Sequence, residues 1–503
     1  MMPGETPKPG ENMRITIDRE SKTPLYKQIK EQIKENILGG YLPAGARLPS
    51  TRALAQQLDI SRISVNNAYL ELEADGYLSG EIGRGTYVNN VQTKKLGDDD
   101  LVNISPPWLS TVFLEDGLKD KERAAELIRR FEATAPLISF ASGLPSPEFF
   151  PVREFQFALN DVFSSFGSQA LQYDYPEGYP LLRKLIAKNF WDMGCSVAPE
   201  SVLITAGAQQ AIVLLCRALV AKGEVVLSEN PTYGGAITAL RLQGAKIEGV
   251  PLEKDGVNTQ VLEEKIRRHH PVLLYLMSSF HNPTGIAMSA EKKQEVIRIC
   301  NKYQLPVIDD NPYELMFYDG EGRPPLKKYD TEDLVISVSS YSKVFLPGIR
   351  LGYLILPERF MKTLIPFKQV SDMNTSPLIQ RVVYHYLQSA NYQKNLQFLR
   401  NSCKKRRDVM MESIARCLPK EIQYDKPNGG SYLWIRTDGR IPIQELYYSA
   451  LSHGVAFAPG SLFYLDGQSH GCFRVNFALN PESDIELGME RLGKAFRSFD
   501  HIE

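Results

Sequence analysis

The chain has 503 residues, 43% hydrophobic and 23% charged, with a formal net charge of −1. That length exceeds what one hydrophobic core supports, so two or three domains are expected, with disorder confined to the ends and no general attraction to polyanions. The six cysteines lack Cys-x-x-Cys spacing, the seven histidines lack metal-ligand spacing, and there is neither a cleavable signal at Met1 nor an apolar run long enough for a bilayer; reduced thiols, no metal, no membrane and a cytoplasmic setting are expected.

Residues 13–90 read as a first domain. Thr23 can cap a helix with Pro24 at its first position, and Leu25, Ile29, Ile33 and Ile37 recur every four residues until Gly39-Gly40. Ser50 caps a second helix carrying Leu54 and Leu58, and Ser61 caps a third carrying Val65, Ala68, Tyr69 and Leu72 before Gly76. Tyr77-Leu78 and Thr86-Tyr87-Val88 then flank Gly83-Arg84-Gly85, a strand pair with a basic tip. This helix-turn-helix with a wing puts Arg62, Ile63, Ser64, Asn66 and Asn67 at the helix end that meets base edges in a major groove. Arg52 and Arg84 suit phosphates or a minor groove. Lys plus Arg and Asp plus Glu number 11 each over residues 1–88, so a DNA reading rests on pattern rather than charge. A small dimerisation or ligand module would use the same elements. Pro24-Leu25-Tyr26-Lys27-Gln28-Ile29, Leu48-Pro49-Ser50-Thr51-Arg52 and Gly83-Arg84-Gly85-Thr86-Tyr87-Val88 closely resemble the GntR-type winged helix. The resemblance implies a double-stranded DNA operator, with Arg52, Arg62 and the wing around Arg84 at the usual contacts.

Residues 91–135 read as a linker, with Lys94-Lys95, Asp98-Asp99-Asp100 and Pro106-Pro107 followed by a charged stretch of weak helical periodicity. From 136 to 503, helical stretches alternate with apolar runs such as Val202-Leu203-Ile204, Val225-Val226-Leu227, Val272-Leu273-Leu274-Tyr275-Leu276, Val307-Ile308 and Val335-Ile336-Ser337-Val338. Such alternation predicts an α/β domain with a largely parallel sheet, whose motifs fall along one sheet edge.

The motif set on that edge is specific. Ser340 and Ser342 precede Lys343, and Arg350 follows a Pro347-Gly348 turn, so one short segment offers an amine for a Schiff base and hydroxyls and a guanidinium for a phosphate. That pairing points to pyridoxal 5'-phosphate. Gly207, Ala208 and Gln209 open a helix whose free amides can receive the same phosphate. Asp310, at a strand end, suits the pyridine nitrogen, and Tyr313 and Asn282 suit the ring's phenolic oxygen. Tyr233 could lie on the ring or be core. Arg474, an arginine in an otherwise alternating strand, needs a carboxylate or similar partner, and a substrate α-carboxylate would fit.

In order and spacing these motifs resemble fold-type I aminotransferases of the kynurenine and aminoadipate branch, with Ser142-Gly143-Leu144-Pro145 and Gln172-Tyr173-Asp174-Tyr175-Pro176-Glu177-Gly178 completing the set. The resemblance implies that Tyr173, or in its place Tyr175, reaches across a homodimer interface to the partner's phosphate, and that Gly143 lies beside substrate. A winged helix ahead of such a body resembles the MocR subfamily of GntR regulators, in which the body senses an amino compound or the cofactor. Two functions follow: a regulator sensing an amino acid or amine effector, or a working aminotransferase that carries an extra head.

Overall fold

The computed structural model describes residues 15–18, 24–38, 42, 45–81, 85–89, 137–320 and 322–499. The chain divides into two compact units, Met1–Phe113 and Leu114–Glu503.

In the first unit, α1 (Leu25–Leu38) turns Ile29, Ile33 and Ile37 into a core shared with Leu54 and Val65, Ala68, Tyr69 and Leu72. The four-residue recurrence of those isoleucines is the buried stripe of an amphipathic helix. Ser50 caps α2 (Thr51–Leu58) by accepting from Ala53 N at 3.2 Å, and Ser61 caps α3 (Arg62–Ala74) by accepting from Ser64 N at 3.2 Å. Strands β1 (Leu78–Glu81) and β2 (Gly85–Val88) pair antiparallel from Leu78↔Val88 to Glu81↔Gly85. Thr23 and the wing tip, Arg84 included, lie outside the described residues. An ion pair that the apolar pattern does not announce ties α1 to α3: Lys30, 7% exposed, lies 2.6 Å from Glu71 and 2.9 Å from Asp75.

After a short strand at Ile138–Ser139, which pairs with Val455–Ala456, the second unit runs through helices α4 (Val152–Phe166) and α5 (Pro180–Asp192) and then alternates strand and helix. In chain order come β3 (Val202–Thr205), α6 (Ala208–Leu219), β4 (Val225–Asn230), α7 (Gly234–Gln243), β5 (Lys246–Glu253), β6 (Gly256–Val257) and α8 (Thr259–His269). They are followed by β7 (Leu273–Leu276), α9 (Ala290–Tyr303), β8 (Val307–Asp310), β9 (Val335–Ser340) and β10 (Gly352–Ile355). The sheet order is β3-β10-β9-β8-β7-β4-β5-β6, parallel except for the hairpin partner β6 and for β10, which runs against both neighbours. Apolar runs form its centre because both faces are covered. Leu203, Leu273, Ile308, Ile336 and Leu354 join the core under α6 and α7, while Leu274, Leu276, Val307 and Val335 pack with α8 and α9, and Val202, Ile204 and Ile355 with α5.

Helices α10 (Glu358–Asp372), α11 (Pro377–Gln388) and α12 (Ala390–Cys417) lead to a smaller antiparallel sheet, with α13 (Ile443–Ser452) packed beside it and α14 (Glu482–Arg497) against α12, α13 and the strand pair Ile138–Ser139 and Val455–Ala456. Its strands β11 (Tyr432–Arg436), β12 (Ala458–Pro459) and β13 (Cys472–Asn476) run in the order β11-β13-β12. The sequence reads β13 as alternating, but all five residues are buried because it is the central strand. Among the described residues no helix is long and apolar enough to cross a membrane.

Candidate functional site

The parallel strands of the large sheet end on one edge, and β10, running the other way, begins there. Register places Thr205, Gly352 and Ser340 side by side across β3, β10 and β9. The chain leaves each at the same spot, which brings the turn before α6, the Ser340–Lys343 segment and Arg350 together.

Gly207 occupies that turn with φ 89°, and a Cβ on it would lie 2.7 Å from Arg350 Nη2. Only glycine allows both the left-handed backbone and this approach. Arg350 Nη2 donates to Ala206 O at 3.3 Å, and the guanidinium remains exposed. By position, the first-turn amides of Ala208 and Gln209 have no intrahelical acceptor. Ser340 Oγ donates to Ser342 Oγ at 2.9 Å. Guanidinium, hydroxyls and helix-start amides make a donor set that fits a phosphate dianion. The Gln209 side chain is turned elsewhere: its Oε1 accepts from Tyr233 Oη at 3.1 Å and its Nε2 donates to Gly235 O at 3.2 Å.

Deeper in, Asp310 at the end of β8 is 2% exposed, and its Oδ2 accepts from Tyr275 Oη at 2.8 Å. Its Oδ1 has no hydrogen-bond partner among the described residues. Burial pushes this carboxyl up to about 7; Tyr275 opposes the shift, Asp309 adds to it, Lys343 opposes and Glu229 adds. A buried acid with one idle oxygen fits a protonated ring nitrogen, whose charge would draw it back to the carboxylate form.

Lys343 Nζ donates to Gly143 O at 2.6 Å and lies 5.8 Å from the centre of the Tyr313 ring. The Tyr313 hydroxyl is 2.6 Å from that of Tyr432. Arg474 is buried, with Nη1 donating to Asn282 Oδ1 at 2.7 Å and Nη2 to Ala141 O at 2.5 Å, and its Nε has no partner among the described residues. The protein therefore engages both terminal nitrogens, and Nε with the second hydrogen on each Nη remains for a carboxylate.

Thus Gly143, Gly207, Ala208, Gln209, Tyr233, Asn282, Asp310, Tyr313, Ser340, Ser342, Lys343, Arg350 and Arg474 gather on one edge of the body. Tyr173 does not join them in this chain: its ring is 76% exposed, although the adjacent Asp174 is fixed to Arg381 at 2.7 Å. Sequence reasoning missed Tyr275 and Tyr432. Tyr275 sits inside an apolar run with nothing to mark it, whereas Tyr432 follows Gly429-Gly430, a glycine pair at a strand start that signals close backbone approach.

In the winged unit, Arg52, Arg62, Asn66 and Asn67 are exposed. Arg62 Nε leans 3.4 Å from Thr51 Oγ1, which joins the starts of α2 and α3. Ser64 is half-buried, with its hydroxyl 3.0 Å from that of Ser61, so the cap engages it. A further cation was missed. A Cβ on Gly85 would meet Arg47 Nε at 2.8 Å, which puts Arg47 against the wing.

Aminotransferase class I and II matches residues 136–492, and the gntR family of bacterial regulatory proteins matches residues 25–88. YdfD of Bacillus subtilis, an uncharacterized HTH-type transcriptional regulator, is 31% identical over 94% of this chain and 96% of its own. A 2-aminoadipate transaminase of Thermus thermophilus is 34% identical over 72% of this chain and 90% of its own. Among solved structures, LysN of T. thermophilus, an α-aminoadipate aminotransferase complexed with N-(5'-phosphopyridoxyl)-L-leucine, superposes with a TM-score of 0.71 at 32% identity, covering 79% of this chain and 100% of its own.

Proposed function

The chain belongs to the aminotransferase class I and II family and, with its GntR-type head, to regulators of the MocR architecture; from that premise we propose that it binds operator DNA through the head and reads an amino compound through pyridoxal 5'-phosphate held by the body. The observation that carries the cofactor reading is the idle oxygen of buried Asp310 on the sheet edge that also carries Lys343. When bound, the cofactor supplies an aldehyde that condenses with amines and a ring that withdraws electrons. The chain supplies everything around it. Arg350, Ser340, Ser342 and the amides of Ala208 and Gln209 hold the phosphate, Asp310 holds the ring nitrogen, Tyr313 and Asn282 hold the ring oxygen, and Tyr233 lies against the ring. Lys343 provides the amine, and Arg474 holds the carboxylate of the incoming ligand beside Gly143.

Exposure of Arg62, Asn66 and Asn67 on a capped recognition helix, and of Arg52 on α2, supports the DNA reading. The 76% exposed Tyr173, with Leu171 at 65% and Val370 at 89%, supports a homodimer in which each chain lends Tyr173 to its partner's phosphate. A ligand regulates such a protein only through different affinities for the states that bind DNA well and poorly. The test is binding of the promoter DNA upstream of its own gene at fixed salt, with and without cofactor and amino acids. A change in affinity is expected, and unchanged affinity under every condition overturns the regulator reading.

A second reading, turnover as an aminotransferase, is favoured by the retained set of matching positions and by the transaminase relative. Here Lys343 Nζ would also move the proton at the substrate α-carbon. Accumulation of pyridoxamine phosphate on mixing with an amino acid distinguishes it from sensing alone.

A further inference from the structure

Tyr432 opens β11 and is 1% exposed. Its hydroxyl is 2.6 Å from that of Tyr313, with the two rings edge to face and their centres 5.6 Å apart. The face of the Tyr432 ring lies 4.1 Å from the Arg474 guanidinium carbon. On the remaining side is Gly143, where a Cβ would come within 2.7 Å of Tyr432 Oη and 3.7 Å of Lys343 Nζ. One phenol therefore touches the proposed carboxylate subsite, the proposed ring-oxygen partner and the surroundings of the reactive amine.

Two phenols at 2.6 Å have one hydrogen between their oxygens, and the direction of that bond decides where the other hydrogen points. If Tyr313 donates to Tyr432, Tyr313 has none to offer the cofactor. If Tyr432 donates, the Tyr313 hydrogen is released toward the cofactor's ring oxygen. The charged and titratable groups around the pair are Arg474 and Lys343, with Tyr233 beyond. Burial pushes Tyr432 up, but Arg474, Lys343 and the bond from Tyr313 outweigh it, so its phenol sits below the ordinary tyrosine range. Burial holds Tyr313 well above that range, so Tyr432 is the member that gives up its proton first.

Building on the proposed cofactor site, we propose that Tyr432 is a positioning residue that couples the carboxylate subsite at Arg474 to the cofactor end of the site. With Arg474 bare and the pH above the Tyr432 midpoint, Tyr432 is a phenolate and Tyr313 donates to it. A carboxylate on Arg474 cancels the nearby positive charge and raises that midpoint, so at a pH between the two midpoints Tyr432 takes up one proton from solvent, donates it to Tyr313, and Tyr313 turns its own hydrogen to the ring oxygen. Within that pH interval the site distinguishes amino acids, which carry a carboxylate, from plain amines, which do not.

The experiment uses cofactor-free full-length protein and the near-ultraviolet tyrosinate band followed against pH. The wild type should show a tyrosinate step that Tyr432→Phe abolishes, and saturating acetate, the carboxylate probe, should move its midpoint to a proton concentration about tenfold lower. Arg474→Met should remove the response to acetate. A step that persists in Tyr432→Phe, one that ignores acetate, or an acetate response that survives Arg474→Met overturns the coupling. Tyr313→Phe, which keeps the ring packing, should alter the Tyr432 midpoint, and an unchanged midpoint counts equally against it. Cofactor binding is read separately from the visible absorbance. A protein that stays colourless with pyridoxal 5'-phosphate sinks the cofactor reading, while the tyrosinate titration still judges the tyrosine pair.

Discussion

Asp310 keeps its proton far longer in the folded body than in an unfolded chain, with a value of about 7 against an ordinary 3.8. A carboxyl raised in this way contributes stability fully below the unfolded value, and that contribution is lost as pH rises through the folded one. The cofactor-free body should therefore lose stability between about pH 4 and pH 7, and Glu314, pushed by burial up to about 8, carries the same downward slope on to about pH 8. Asp310→Asn cannot titrate there. Its cofactor-free melting temperature should fall less than that of the wild type over the same window, and equal falls would mean that Asp310 is ionised throughout. With cofactor the sign reverses for the wild type, since a protonated ring nitrogen on the idle Oδ1 stabilises the carboxylate. Asp310→Asn should lose that gain together with much of its cofactor affinity.

At the scale of single elements, α3 begins at Ser61, whose hydroxyl accepts from Ser64 N, and the first residue it launches is Arg62. Ser61→Ala should cost about 1 kcal/mol in the unfolding transition of the winged unit and loosen the turn carrying Arg62. Thermal unfolding of the full chain and operator affinity at fixed salt should fall together, and a drop in neither would show that neighbours hold the helix start without the cap. This cap was legible in the sequence because serine before an apolar periodic run has one common meaning. Strands β3, β7, β8 and β9 were legible for a related reason: burial on both faces favours apolar runs, and Val202-Leu203-Ile204 in β3 is one without a break. The residues that gather at the candidate site were named from the order of their motifs, and the topology sets several of them at or just past strand ends. Tyr432 could not be named so. Its partner Tyr313 is 119 positions away, and a tyrosine in a buried strand looks like any core aromatic until the fold brings the two hydroxyls together. Tyr275 is hidden in the same way, since Asp310, the acid it serves, belongs to a different strand.

At the scale of the whole molecule, the proposed homodimer makes a prediction that no monomer can imitate. Lys343 and Tyr173 would serve one cofactor from different chains, because within its own chain Tyr173 is exposed to solvent rather than turned toward Gly207 or Arg350. Lys343→Ala should lose the covalently held, coloured cofactor, and Tyr173→Ala should weaken retention of the phosphate, so each variant alone is poor at holding it. In a mixed dimer, the chain with intact Lys343 meets the partner's intact Tyr173 at one site, and the second site carries both defects. Random exchange of two variants at equal amounts puts about half of the chains in mixed dimers, and with one good site in two, about a quarter of all sites should recover tight binding. The measurement is visible absorbance retained after gel filtration of the separate and mixed proteins, unfolded and refolded together so that subunits exchange. Recovery near that fraction requires a shared site. Recovery no greater than the average of the two variants would assign Tyr173 no part in the partner's site and leave Tyr175, 62% exposed on the same segment, as the next residue to exchange.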